Sequence, residues 1–378
     1  MTLSYSISTL QLESAWSAED LLAWRLPWAE LADSIDAPAV ARPEFLLPWI
    51  RHRCRDDQFV AFGAWEGSRL LGFLPLLLTY RKMGGLRVRL AYYPTRNAFV
   101  PGVGALIRLE TGLSGGLVRE IADILVGAVL DLDGWDVLEL NSLPPRGLFE
   151  TALRMGLYRR RMHAVLSRDD LAVRVRLDGG KAGILRRCDA GRRRHLNHSL
   201  DGLESRGQEI TEITSMDQVS EGLSAAFEVA EASWQGRNRT SIASAEEARR
   251  FYRELSMGLA ANGKLSLWLL SAGSRPIAFD YHIVSGRRAF NLKRGFLPEY
   301  ARLGPGITLL GASMIALGER GVDSLELFHP ASDDKQRWRP EMTNYSTIRV
   351  FADSPRGRML SAMQGIKRAL HFSPWYLK

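Results

Sequence analysis

A seven-residue word occurs twice in the chain, and it constrains the fold more than any single residue does. Gly134-Trp135-Asp136-Val137-Leu138-Glu139-Leu140 and Gly321-Val322-Asp323-Ser324-Leu325-Glu326-Leu327 agree at five of seven positions. A second pair of words precedes them: Gly67-Ser68-Arg69-Leu70-Leu71-Gly72-Phe73 and Gly273-Ser274-Arg275-Pro276-Ile277-Ala278-Phe279 agree at four of seven. The spacing from the earlier glycine to the later one is 67 residues in the first half and 48 in the second. Two words in the same order, each at an equivalent structural place, argue for an internal duplication with an extra stretch in the first copy.

The residues around the words read as the same elements. In the second half, strands are expected at Leu265–Leu270, Pro276–Val284 and Ala289–Gly295, separated by the turns Ala272-Gly273-Ser274-Arg275 and Ser285-Gly286-Arg287. A loop leads to a helix at about Ile307–Arg320, in which Leu309, Leu310, Met314 and Leu317 recur at helical spacing, with Gly321 as its C-cap. Ser324–Leu327 is a short buried strand. The first half gives strands at Phe59–Trp65 and Leu70–Leu78, a helix from about Gly116 to Leu130 and a strand at Val137–Leu140. A helix joining two strands of one sheet implies a crossover and layered α/β (α+β) architecture.

At 378 residues, with 46% hydrophobic and 24% charged residues, the chain suits a soluble protein of two ordinary domains. A net charge of +8 favours an anionic partner: a phosphorylated cofactor, an acidic glycan, nucleic acid or an anionic membrane face. Cys54 and Cys188 fall in no CxxC pair and beside no histidine cluster, which argues against a disulfide framework and against a metal site. Residues 1–16 lack the basic and apolar regions of a secretory signal. The longest apolar run, Leu70–Leu78, is about half a membrane span and contains Pro75. A cytoplasmic location without a transmembrane segment is expected.

Between the halves, Ile184–Arg206 carries Arg186, Arg187, Arg192, Arg193 and Arg194, and Leu196, Leu200 and Leu203 give it an amphipathic helical pattern. It reads either as a solvated helix bridging two lobes or as a surface for phosphate or an acidic polymer. Its arginines lack interleaved aromatics, which weighs against nucleic acid. Tyr300–Thr308 is a glycine-containing loop between a strand and a helix. Helix N-termini expose N–H groups and carry positive dipole character, and glycines let that backbone approach a diphosphate. Gly304, Gly306 and Ile307 are the backbone candidates, with Arg302 adding charge and Thr308 a hydroxyl. The loop has neither the Gly-Lys-Ser/Thr of a Walker loop nor a Gly-x-Gly-x-x-Gly fingerprint.

From about Arg192 to Phe351 the chain resembles the GNAT-type acetyltransferase domain of the CelD/BcsL group associated with cellulose biosynthesis, and it is distantly similar to the FemAB aminoacyltransferases. The resemblance is carried by the arginine-rich helix ending in Leu203-Glu204-Ser205-Arg206-Gly207 and by the strand Arg275–Phe279. It is also carried by Gly295-Phe296 with Tyr300 and the Gly304-Pro305-Gly306 loop, and by Lys335 three residues before Trp338. It implies two GNAT-like lobes, each a mixed, mostly antiparallel sheet flanked by helices, with acyl-CoA held by the amides of Gly304, Gly306 and Ile307. The division it implies is a degenerate N-terminal lobe at 1–175, a basic linking helix at 176–207 and an acyltransferase lobe at 208–378. The superfamily loop Gln/Arg-x-x-Gly-x-Gly/Ala is met imperfectly. Ala301 stands at its basic position, Arg302 is one residue late, and Asp334 replaces the aromatic common before the lysine.

Acyl transfer needs a deprotonated nucleophile, a polarised thioester carbonyl and a proton for the leaving thiolate. In the GNAT fold the donor enters where two parallel strands splay, here Ala289–Gly295 and Ser324–Leu327. The first strand has no carboxylate, so His329, just past the second, is the candidate base. Lys335 is a candidate for oxyanion stabilisation or for holding an acidic acceptor. Asp280 and His282 share a strand face, as a base with its orienter or as plain polar residues of a half-exposed strand. Trp234 and Trp338 are either sugar-stacking or core residues. Three functions follow: an acetyltransferase for a sugar or exopolysaccharide precursor, a FemAB-like aminoacyltransferase using charged tRNA, and a catalytically silent binding module in polysaccharide assembly.

Overall fold

The computed structural model describes residues 10–54, 57–83, 85–95, 104–109, 114–144, 147–233, 236, 241–328 and 332–371. It divides into two compact units: residues 1–50, 54–169 and 344–378 form one, and residues 51–53 and 170–343 the other.

In the first unit, β1 (Gln11–Ala15), β2 (Gln58–Glu66), β3 (Arg69–Met83) and β4 (Leu86–Tyr92) run antiparallel, with the short β5 (Leu106–Ile107) on β3. β6 (Val137–Leu143) joins β4 in parallel. The parallel pairing requires a crossover, and α4 (Gly115–Leu130) supplies it. Helices α1 (Ala18–Ala23), α2 (Arg25–Ser34) and α3 (Pro43–Arg53) precede β2, and α5 (Leu148–Arg160) follows β6. One sheet face buries Phe62, Leu74, Leu76 and Leu138 against Ile121, Leu125 and Val129 of α4. The other buries Phe59, Phe73 and Leu77 against Trp24, Trp28 and Leu31.

The second unit repeats this order. After β7 (Ala164–Arg176), α6 (Gly180–Arg187) and α7 (Ala190–Asp201), the strand β8 (Gln208–Ile213) precedes α8 (Val219–Ala232) and α9 (Glu246–Ala261). Then β9 (Leu265–Ala272), β10 (Arg275–Ser285) and β11 (Arg288–Phe296) run antiparallel, α10 (Pro305–Glu319) crosses over, and β12 (Ser324–Phe328) pairs in parallel with β11. A one-turn helix, α11 (Asp333–Gln336), leads to β13 (Glu341–Phe351), and α12 (Pro355–His371) ends the described chain.

The duplication read from the two words holds residue by residue. Gly67 and Gly273 both take φ 58° in the hairpin turn, where a side chain would be strained. Both hairpins shift register at the same point, beside Leu71 and Ile277. In the later words the N–H groups of Asp136 and Asp323 donate to the carbonyls of Arg89 and Arg287, at 2.8 and 2.7 Å. The buried Glu139 accepts from Nε of Arg349 at 2.5 Å, and the buried Glu326 accepts from Nε of Arg174 at 2.5 Å.

Those two arginines explain where the units depart from the expected boundaries. β13 pairs with β6 through Ser346–Phe351, and β7 pairs with β12 through Val173–Arg176. The chain's last strand thus completes the first unit's ladder, while the strand between the copies completes the second's, so 344–378 does not cluster with 208–343. The basic stretch 176–207 is likewise no solvated bridge. It forms α6 and α7, whose Ile184 and Leu196 share a core with Leu310, Met314 and Leu317 of α10. A Cβ on Gly311 would meet Leu196 at 2.3 Å, so the glycine lets α7 approach. Among the described residues no helix is long and apolar enough to cross a membrane.

Removing either arginine takes from a buried carboxylate the cation that is hydrogen-bonded to it. Arg349→Met and Arg174→Met are each expected to cost about 2 kcal/mol, reduced from a fully buried pair because the arginines are partly exposed. Denaturant unfolding followed by hydrogen exchange should locate the first loss in β6 and the second in β12. A loss under about 0.5 kcal/mol in both would remove the pairs from any structural role.

Candidate active site

The site is built on β10, β11, α10 and the end of β12. β11 and β12 pair over only three residues, Arg288–Phe290 with Ser324–Glu326. From Asn291 onward β11 pairs, among the described residues, only with β10, and β12 bends at a bulge toward β7, with Phe328 at φ 55°. This is the splay expected from the sequence.

A second bulge decides which side chains meet there. Tyr281 pairs with Lys293 but His282 pairs with Asn291, leaving Leu292 as an extra residue. Asn291 and Arg294, three apart, therefore fall on one face, opposite His282 and Asp280. All four lie beneath α10 or beside it. His282 is buried, with Nε2 3.1 Å from Ser313 Oγ and Nδ1 3.3 Å from Asn291 Nδ2. Ser313 Oγ donates to the Leu310 carbonyl at 3.0 Å, so His282 carries its proton on Nε2 and accepts from Asn291 at Nδ1. Burial, with Arg294 and Arg320 adding to it, pushes the His282 pKa down to about 3. The ring stays neutral and has no vacancy for a substrate proton.

Asp280 is 1% exposed, and its oxygens accept no hydrogen bond of ordinary geometry; Arg294 Nε stands 3.4 Å away. Burial raises its pKa to about 7, against the opposing pull of Arg294. Asp280 and His282 are thus neither a hydrogen-bonded base and orienter nor residues of a half-exposed strand. Both are buried, and each has its own partner.

Arg294 also donates through Nη2 to the carbonyl of Gly306. The loop itself is tightly folded. Gly304 takes φ 63° as the N-cap of α10, and a Cβ there would meet His195 Nε2 at 2.4 Å. Its N–H donates to Ala301, and the N–H groups of Ile307 and Thr308 both turn back to its carbonyl, at 3.0 and 3.1 Å. The Thr308 hydroxyl donates to the same carbonyl at 3.1 Å. Of the amides expected to be open at Gly304, Gly306 and Ile307, those of Gly304 and Ile307 are spent within the turn, and the Thr308 hydroxyl is spent there too. Gly306 keeps an N–H without a partner among the described residues, but the residue is buried, and the side chains of Arg294 and Phe296 would stand 3.2 Å from a Cβ there. Arg302 is exposed on the preceding 3-10 turn.

Lys335 donates from Nζ to the carbonyls of Leu327 at 2.6 Å and Phe328 at 3.3 Å, closing the bent end of β12. Burial, then the nearby charge of Arg294, lowers its pKa to about 8, with Asp334 opposing. Arg192 is buried, pairs with Asp334 at 2.5 Å and lies 4.9 Å from the centre of the Trp338 ring. Trp338 is accordingly a core residue. His195 sits one turn beyond Arg192; burial lowers its pKa, and a hydrogen bond to the Gly304 backbone opposes that. His329 and Trp234 lie outside the described residues.

Arg294, Asn291, Ser313 and His195 were missed in the sequence. Strict alternation puts Asn291 and Arg294 on opposite faces of β11, and only the bulge brings them together.

The acetyltransferase (GNAT) domain model matches residues 190–336. The chain has a GNAT-type acyltransferase fold. It superposes on FemX with a TM-score of 0.61 at 9% identity, covering 92% of this chain and 100% of that one. The C-terminal domain of a putative lysylphosphatidylglycerol synthetase from Agrobacterium fabrum gives a TM-score of 0.52 at 14% identity, over 89% of this chain and 95% of that one. L-PGS from Bacillus licheniformis gives 0.52 at 12% identity, with the same coverage. No curated protein matches the chain.

The Asp280 carboxyl supplies a test of this buried cluster. Its native pKa lies above its unfolded value, so the native state holds the extra proton between about pH 4 and 7. Stability from this group therefore falls as pH rises through that window and stays low above it. Asp280→Asn is expected to raise Tm at pH 8 and to change it little at pH 5, as scanning calorimetry would show; the reverse order would mean that the carboxylate is stabilised in the fold.

Proposed function

We propose that the second unit transfers an acyl group, acetyl in the simplest case, from acyl-CoA to an amine or hydroxyl of a sugar or exopolysaccharide precursor. The observation that carries this reading is the contrast between the two copies. The shared hairpin register puts Leu74 and Leu76 of the first unit where the second has Asp280 and His282. The first unit's α4 begins at Ser114, whose side chain caps the Leu117 N–H at 3.2 Å, whereas α10 begins at Gly304 with no side-chain cap. The frame folds with leucine and a capped helix, so burying an acid and an imidazole is not demanded by the fold and costs stability. Such a cost is retained where it serves a site.

The acyl-CoA thioester would supply an activated carbonyl. Gly304 and Gly306 keep the loop narrow enough for its diphosphate, and the N-terminal end of α10 favours negative charge. Lys335, tied to the end of β12, is assigned to the developing oxyanion. His329, immediately after Phe328, is assigned as the base. Asp280 acts through Arg294, not as the base.

A second reading has its own support. The loop offers a diphosphate few unspent amides, and the chain carries a net charge of +8. Both suit a FemAB-like aminoacyltransferase that takes its acyl group from charged tRNA.

Calorimetric titration separates the two. Acetyl-CoA is expected to bind the wild type and to be lost with Gly306→Leu, whose side chain would collide with Arg294 and Phe296. Binding of charged tRNA with a steep salt dependence, and none of acetyl-CoA, would replace the first reading with the second.

A further inference from the structure

We propose that Arg294 is the residue that receives a phosphate oxyanion of the donor; the assignment rests on the acyl-CoA reading above. Arg294 Nε faces Asp280 at 3.4 Å, and Nη2 donates to the Gly306 carbonyl. Nη1 makes no hydrogen bond among the described residues, and the side chain is 27% exposed. Both contacts lie on one edge of the group, and its outer edge, formed by Nη1 and the second hydrogen of Nη2, is left as a fork. A planar fork of N–H groups matches two oxygens of a phosphate.

The neighbourhood favours negative charge. Lys335 is near enough for Arg294 to depress its pKa, and the fifteen-residue α10 directs its N-terminal end at the same loop. Against these cations stand Asp334, which pairs with Arg192, and Asp280, buried, with both oxygens short of ordinary hydrogen bonds. Asp280 is the positioning residue: its carboxyl beside Nε favours the orientation in which the outer edge is turned away from it. The first unit has Leu74 at the position of Asp280 and so has no such anchor there. Arg294 also accounts for the folded loop. Where the amides of Gly304, Ile307 and Thr308 are spent within the turn, a side chain fixed to the Gly306 carbonyl provides the donors instead.

The experiment compares wild type, Arg294→Gln, Arg294→Lys and Arg186→Gln, the last removing an exposed charge from α6. Each is titrated with acetyl-CoA, with S-acetylpantetheine, which lacks the diphosphate, and with inorganic pyrophosphate. Arg294→Gln is expected to weaken acetyl-CoA and pyrophosphate about 10- to 100-fold and to leave S-acetylpantetheine unchanged. Arg294→Lys, which keeps the charge but not the fork, should fall between, and Arg186→Gln should match wild type. Equal loss of all three ligands, or no loss of any, overturns the proposal. If wild type binds pyrophosphate through Arg294 but not acetyl-CoA, the acyl-CoA reading fails while the phosphate site stands. If wild type binds acetyl-CoA and Arg294→Gln binds it equally well, the reading stands and Arg294 is excluded. Should Arg294→Gln unfold, Arg294→Lys carries the comparison.

Discussion

Three residue pairs of parallel ladder hold β11 to β12, and the site is the consequence of where that ladder stops. Past Phe290 the outer edge of β11 has no strand to satisfy it, and β12 is drawn toward β7 by its own pairing and by the Glu326–Arg174 ion pair. A parallel ladder cannot be closed by a hairpin, so α10 must cross between the two strands and arrive with its N-terminal end beside the gap. The bulge at Leu292 then aims Asn291 and Arg294 beneath that helix. Each feature of the site follows from strands that part early.

The duplicated unit acts as an internal control on what the frame itself requires. It has the same three-residue parallel pairing, the same aspartate bound to the preceding strand and the same buried glutamate–arginine pair. These features are structural in both copies. The differences that bear on the site lie on the face under the crossover helix and in the way that helix begins. A buried imidazole held neutral by two partners and a buried acid near an arginine are expensive substitutes for two leucines. The second copy keeps them on the face that supports the glycine-led helix start.

The duplication was legible because its words fall on residues whose local geometry is fixed by identity: a glycine at positive φ in each hairpin, and an aspartate and glutamate at set distances from a second glycine. The order of strands and the crossover followed from that. The exchange of β7 and β13 was not legible, because neither strand lies next in sequence to the strand it completes. The arginine-rich stretch was half legible. Leu196 faces the core as its spacing implied, but Arg192, one turn earlier, also turns inward because Asp334 and Trp338 receive it. Polar side chains follow partners as well as periodicity, and those partners lie more than a hundred residues away. Arg294 stayed hidden for a related reason: one extra residue in β11 reverses the face on which it lies.

The state of the loop bears on how an anion can be held at all. A helix start that donates its own first-turn amides to Gly304 is stable without a ligand, whereas a start with open amides is stabilised by one. Here the amides of Gly304, Ile307 and Thr308 are satisfied within the turn, and of the four N–H groups from 304 to 308 only that of Gly306 is without a partner among the described residues. Arg294 and Lys335 stand beside the gap, the helix adds its positive end, and burial raises the pKa of the acid beside Arg294, Asp280, to about 7. Protonating Asp280 would leave the two cations less compensated and Arg294 less firmly held, so attraction and orientation change in opposite senses. A ligand that needs only charge would then gain at low pH, and one that needs the guanidinium in a fixed plane would lose. On the proposal that Arg294 receives a phosphate, a buried Asp280 beside Nε, kept at the expense of stability, serves orientation more than attraction.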